Sequence, residues 1–300
     1  MGKIIEILNK KAPLVSDGAW GTFLHSMGLK PEECPESWNL KYPEKVFSIP
    51  QSYLNAGADI VLTNSFGASP FKLAHYQLRD KTSRINQAAA EISRKAAGES
   101  RLVLGSIGPT GVVLMMGDVS QKELYDGFKE QALALSRGGV DALCVETMSA
   151  LDEAILAIKA IKDHTDLEVI CTFTFEKTLK GEYRTMMGVS PPQMVETLLD
   201  EGADVVGTNC GNGMKDMIDI VKEIRTVDSD IPILVHANAG RPEVKDGNTI
   251  FPESPEEMAS YVPEILHAGA NIIGGCCGTT PDHIRRIAEK ISSYKNNGDT

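Results

Sequence analysis

The sequence predicts a (β/α)8 barrel in one domain, and three observations lead there. Eight short apolar runs recur along the 300 residues, each rich in Val, Ile and Leu without polar alternation. Such runs indicate strands buried on both faces, as in a parallel sheet. Segments of helical periodicity separate them, for example Gln121–Arg137, Leu151–Lys162 and Met214–Ile224. One helix-to-strand joint also repeats four times, as Ala56-Gly57-Ala58-Asp59, Gly138-Gly139-Val140-Asp141, Glu201-Gly202-Ala203-Asp204 and Ala268-Gly269-Ala270-Asn271. Its glycine suits the left-handed residue that ends a helix, and the small residue after it begins a strand.

The strands fall at Pro13–Ser16, Asp59–Asn64, Leu102–Ile107, Ala142–Glu146, Glu168–Phe175, Asp204–Asn209, Ile231–Ala237 and Asn271–Gly274. The four joints precede the even-numbered strands, as a repeated βα unit requires. The competing architecture is an open doubly wound sheet, but no Gly-x-Gly-x-x-Gly follows the first strand. A barrel of this kind takes about 250 residues, so residues 1–300 read as one domain. Met1 to Lys11 read as a helix covering the bottom of the barrel, and Lys295–Thr300 as a polar tail.

Thirty Lys and Arg stand against 41 acids, a net charge of −11. That balance argues against a nucleic-acid or anionic-membrane partner, both of which reward clustered positive charge. No apolar run approaches the roughly 20 residues that span a bilayer, and no signal-peptide pattern opens the chain. Six cysteines are too few for a disulfide framework, so the expectation is free thiols in a reducing cytoplasm. Cys144 and Cys171 lie inside apolar runs and read as core; Cys34, in a Pro- and Glu-rich loop, reads as exposed.

The remaining three cysteines follow strands. Cys210 stands in Gly207-Thr208-Asn209-Cys210-Gly211, after strand six, and Cys276-Cys277 stand in Gly274-Gly275-Cys276-Cys277-Gly278, after strand eight. Three thiolates at one end of a barrel make a zinc site with an open fourth position, the arrangement of catalytic zinc. Adjacent residues of a regular strand point to opposite faces, and the flanking glycines allow the break that turns both inward. A vicinal disulfide or two unrelated buried thiols are the alternatives. Asp17 and Glu146 also stand at strand ends, where a carboxylate faces a ligand or simply serves as a helix N-cap. The amides of the turn Gly18, Ala19, Trp20, Gly21 and Thr22 can receive an anion.

In order along the chain come Asp17-Gly18-Ala19-Trp20-Gly21-Thr22, Thr63-Asn64-Ser65-Phe66-Gly67-Ala68, Gly105-Ser106-Ile107-Gly108-Pro109-Thr110, Val145-Glu146-Thr147, Asn209-Cys210, Asn238-Ala239-Gly240 and Gly274-Gly275-Cys276-Cys277-Gly278-Thr279-Thr280-Pro281. From about Leu14 to Arg286 the chain resembles the zinc-dependent homocysteine S-methyltransferase family. Within it, the likeness is greatest to the homocysteine-binding domain of cobalamin-dependent methionine synthases. The resemblance implies zinc on Cys210, Cys276 and Cys277, with the homocysteine sulfur as fourth ligand and Asn238 in that position when substrate is absent. It assigns Asp17 and Glu146 to the substrate ammonium; Asn64, Thr147 and Asn209 keep two readings, contact with the substrate or the fixing of loops.

The methyl donor implied by the motif wording is a methylcorrinoid, methylcobalamin, brought by another domain or protein, since no segment remains to bind it here. S-methylmethionine and a betaine are the other donors in the family. Few aromatics (6%) and Gly67 where betaine users carry a tyrosine count against a quaternary ammonium cage. Methylation of another thiol, or a redox pair at Cys276-Cys277, are further alternatives. The six histidines show no metal-ligand spacing and read as surface or packing residues, with His236, on strand seven two residues before Asn238, the exception to watch.

Overall fold

All eight expected strands form, and they close into a ring. The computed structural model describes residues 2–245 and 247–296. The strands are β1 (Leu14–Val15), β2 (Ile60–Leu62), β3 (Leu102–Ile107), β4 (Ala142–Met148), β5 (Glu168–Phe173), β6 (Val205–Gly213), β7 (Ile233–Asn238) and β8 (Ile272–Gly275). They pair in parallel in the order β1-β8-β7-β6-β5-β4-β3-β2. A parallel bridge between Ser16 and Ile60 joins the two ends. An open doubly wound sheet is thereby excluded.

The unalternating apolar runs are explained by two cores, one on each face of the ring. Val61, Val103, Leu143, Val169, Val206, Val235 and Ile273 pack outward among the helices. Leu14, Ile60, Leu102, Leu104, Ile170, Leu234 and Ile272 fill the interior together with Ile4 and Leu8 of the first helix, Lys3–Lys11. That helix plugs the bottom of the barrel. Its first amides, of Ile4 and Ile5, donate to the Glu168 carboxylate at 2.6 and 3.0 Å, where the positive end of the helix favours an anion.

The repeated joints have one physical role, at the bottom of the barrel. Gly57, Gly139, Gly202 and Gly269 all have positive φ, at 105°, 90°, 81° and 113°. Two residues later Asp59, Asp141, Asp204 and Asn271 accept the backbone amides of Val15, Val103, Val169 and Ile233. Each even strand is thus stitched to the odd strand before it. Basic side chains support the stitch: Arg101 at Asp59, Arg94 at Asp141, Lys162 at Asp204 and Arg225 at Asn271. Conserving chemistry at the opposite end leaves this face to stability.

Between β6 and β7 the backbones approach closely at Gly207, where an added Cβ would overlap the Leu234 carbonyl. Gly207→Ala is therefore expected to cost about 3 kcal/mol or more, because the obstacle is paired backbone and cannot rotate aside. Chemical denaturation of the variant checks it, with a midpoint equal to the parent's refuting the close approach. Lys295, where the polar tail was expected to begin, belongs to the last helix, Pro281–Asn296, and its ammonium donates to the carbonyls of Lys11 and Pro13 at 2.7 and 2.9 Å. Residues 297–300 lie outside the described residues. Among the described residues no helix is long and apolar enough to cross a membrane.

Candidate active site

The three thiols meet because two strands are interrupted. β6 does not stop before Cys210, as the apolar pattern suggests, but runs to Gly213. Its pairing with β7 shifts register between Asn209 and Gly213, and Cys210 and Gly211 have φ of 61° and 73°. A bulge of this kind re-aims a side chain, here turning one thiol toward the barrel mouth. β8 ends at Gly275, after which the Cys276 amide donates to the Ala237 carbonyl at 2.7 Å and the Cys277 carbonyl accepts from Ala239 at 3.0 Å. At Gly274 a Cβ would lie 2.7 Å from the Asp17 carbonyl, so only glycine lets β1 come this close. Thr279 fixes the turn, accepting from the Ala19 amide and donating to the Cys276 carbonyl.

All three sulfurs lie within 4.8 Å of one another, with Cys210 and Cys277 3.9 Å apart. Thiolates about 2.3 Å from a tetrahedral zinc stand about 3.8 Å apart, so the donor set fits such an ion. Donors from Cys276 and Cys277 hold the Cys210 thiol far below its ordinary range, and Cys276 and Cys277 are in turn pushed up. All six cysteines are free, so no vicinal disulfide is formed here. Cys34, expected to be exposed, is buried with its thiol 3.3 Å from the Glu36 carboxylate.

Above the thiols lies a cavity of about 320 Å³, lined by Asp17 and Glu146 as well as the three cysteines. Asp17 accepts the Leu62 amide at 2.8 Å and the Trp20 indole at 3.0 Å. Glu146 accepts from the Ser106 hydroxyl. Burial pushes both carboxyls up to about 7, against the lowering effect of those hydrogen bonds. Among the described residues neither carboxyl has a cationic partner, and neither caps a helix: Trp20 precedes the helix that follows Asp17, and Glu146 lies within β4.

Gly18, Ala19, Gly21 and Thr22 line the same cavity. The Ala19 amide, however, donates to the Thr279 hydroxyl, which removes it from the amides of that turn expected to receive an anion. Asn238 ends β7, buried, with its Oδ1 lacking a hydrogen-bond partner among the described residues. His236 lines the cavity and its Nε2 is likewise unpartnered; burial pushes the ring down to about 4, so it is neutral. Two orphaned buried polar atoms beside three thiols suit a site completed by a ligand. Ser106, on β3, and Glu36 also line the cavity but carried no signal of their own: a lone serine or glutamate has many structural uses. Asn64 fixes loops as expected, donating to Pro35 and Asn39.

The family profile described as Homocysteine S-methyltransferase matches residues 14–291. The chain belongs to the homocysteine S-methyltransferase family. Among curated relatives of this family member, "Methionine synthase" of Mycobacterium leprae (strain TN) is 32% identical over 307 residues, covering 96% of this chain and 25% of that protein. "Methionine synthase" of Mycobacterium tuberculosis (strain ATCC 25618 / H37Rv) is 31% identical over 310 residues, covering 97% and 26%. The chain thus spans about a quarter of the length of these relatives. In fold it is similar to the metallated form of the homocysteine methyltransferase MmuM from Escherichia coli, with a TM-score of 0.78 at 24% identity over 95% of this chain and 98% of that one.

Proposed function

We propose that this chain methylates the thiol of homocysteine, giving methionine, at a zinc ion held by Cys210, Cys276 and Cys277. The observation that carries the reading is the convergence of three thiols beneath two uncompensated buried carboxylates in one cavity. Zinc at the thiols would supply a deprotonated, electron-rich substrate sulfur at neutral pH, where a free thiol with a pKa near ~8.5 is mostly protonated. The chain's own groups do the rest. Glu146 and Asp17 face the substrate ammonium, and their charge is favoured once that cation arrives. The amides of Gly18, Gly21 and Thr22 take the substrate carboxylate, and neutral His236 walls the cavity without competing for a proton. Asn238, whose Oδ1 has no partner among the described residues, would hold the metal weakly when substrate is absent and be readily displaced.

The donor in this reading is a methylcorrinoid carried on another domain or protein. A macrocycle cannot enter a cavity of about 320 Å³ that also holds homocysteine, so it must present its methyl at the mouth. Beside the mouth, and sharing Thr147 with the cavity, runs a second groove of about 410 Å³. Its rim carries Met115 and Met186, 85% and 83% exposed. Adaptable, exposed methionines suit a surface that meets a partner transiently. In the reaction the homocysteine S–H proton leaves to solvent, the donor's bond to its methyl carbon breaks with the electron pair staying on the donor, and a carbon–sulfur bond forms in its place.

Zinc content followed by donor assays on the same sample tests the proposal. One zinc per chain and methionine from free methylcobalamin are the expected results. Turnover only with S-methylmethionine or betaine would overturn the corrinoid donor while leaving the acceptor site intact. Absence of zinc after reducing purification would overturn the site itself.

A further inference from the structure

Two non-glycine residues on the barrel strands have left-handed backbones, Thr147 with φ 64° and Cys210 with φ 61°. Each lies where its strand slips register: β4 against β5 between Val145 and Met148, and β6 against β7 between Asn209 and Gly213. Side chains disfavour this region, so it persists only where the surroundings hold it. One bulge carries Glu146 and the other Cys210, the two kinds of group the proposed chemistry must keep in register.

A single side chain joins the bulges. Asn209, fully buried on β6, reaches past β5 to β4. Its Oδ1 accepts the Thr147 amide at 2.8 Å and the Thr172 hydroxyl at 2.7 Å, and its Nδ2 donates to the Thr147 hydroxyl at 2.7 Å. Its own carbonyl, in the peptide that leads into Cys210, accepts the Thr174 hydroxyl at 2.8 Å. The amide it grips is the peptide that follows Glu146.

We infer that Asn209 is a positioning residue that locks the Glu146 bulge to the Cys210 bulge, so that the ammonium-binding carboxylate and the metal-binding thiol are set by one clamp. It touches neither metal nor substrate. Groups that orient metal ligands from outside commonly change metal affinity on the order of 10- to 100-fold when removed. The inference rests on the zinc reading proposed above and extends the role of Asn209 beyond tethering a loop.

Asn209→Ala tests it, with the Thr147→Gly/Asn209→Ala double variant beside it. The expected results for Asn209→Ala are zinc lost to a competing chelator about tenfold or more readily and a KM for homocysteine raised about tenfold, with the thermal midpoint within a few degrees of the parent. Glycine adopts the left-handed conformation without strain. Thr147→Gly in the alanine background should therefore restore the KM while leaving zinc loss uncorrected, a split that general loosening of the barrel would not produce. Zinc retention and KM within twofold of the parent in Asn209→Ala would overturn the clamp. If that variant fails to fold, Thr147→Val, which removes only the hydroxyl, must still raise the KM, and an unchanged value would overturn it. A parent protein without zinc would sink the metal reading instead, and chelator competition on the parent shows which has failed.

Discussion

Cys276→Ala should yield a folded barrel that holds no zinc and forms no measurable methionine. Structural zinc sites with four protein ligands bind with about 10–16 kcal/mol, and on that scale one thiolate is worth a few kcal/mol, a hundredfold or more in affinity. The fold should survive because what the structure takes from Cys276 is backbone. Its amide donates to Ala237 and its carbonyl accepts from Thr279, and alanine keeps both. Cys210→Ala and Cys277→Ala should behave alike. Cys171→Ala is the control: that thiol is buried within β5, remote in role, and the variant should keep its zinc at some cost in stability. Metal analysis and methionine formation, read beside the far-ultraviolet circular dichroism melt, check all four. Full activity in any of the three ligand variants would refute the three-thiolate site.

That prediction could be framed from the sequence because the barrel is written in it redundantly. The four glycine joints marked the starts of β2, β4, β6 and β8, and each has the left-handed φ that its glycine implied. The ends of strands were harder. Apolar character stops at Thr208, yet Gly213 still pairs with Asn238, because a bulged strand keeps its ladder after its hydrophobic pattern is lost. The same holds for β4, which runs past Glu146 to Met148. Bulges depend on partners from distant parts of the chain, and no local pattern announces them. Cys34 misled for a related reason: its loop composition is polar, but the neighbouring Glu36 turns inward to accept the Gly67 amide and draws the thiol into cover. Thr279 and Ser106 sat within the recognised motifs, yet their roles are hydrogen bonds across 260 and 40 residues of sequence, visible only once β1, β3, β4 and β8 are side by side.

Glu146→Gln should weaken homocysteine binding and, at the same time, stabilise the protein above neutral pH. Gln keeps the shape and can accept from Ser106, but it cannot offset the substrate ammonium. Removing one member of a buried charge pair costs about 2–5 kcal/mol, so the KM should rise on the order of a hundredfold or more with zinc content unchanged. The stability effect follows from where the carboxyl titrates. Burial raises its folded pKa from 4.5 to about 7, with the Asp17 and Cys210 charges adding to the rise. Between those values the folded state holds a proton that the unfolded chain has released, so stability falls as pH climbs from 4.5 toward 7. Above that the parent carries the whole penalty, on the order of 3 kcal/mol, and Gln carries none. The thermal midpoints of the two proteins should therefore coincide near pH 4.5, diverge through pH 7 with the variant higher, and run parallel beyond it. Asp17, raised to about 7 in the same way, remains in both proteins and bends both curves alike. A variant less stable than the parent at pH 8 would mean that Glu146 is already compensated by a cation, and with unchanged homocysteine affinity it would remove this residue from the substrate pocket.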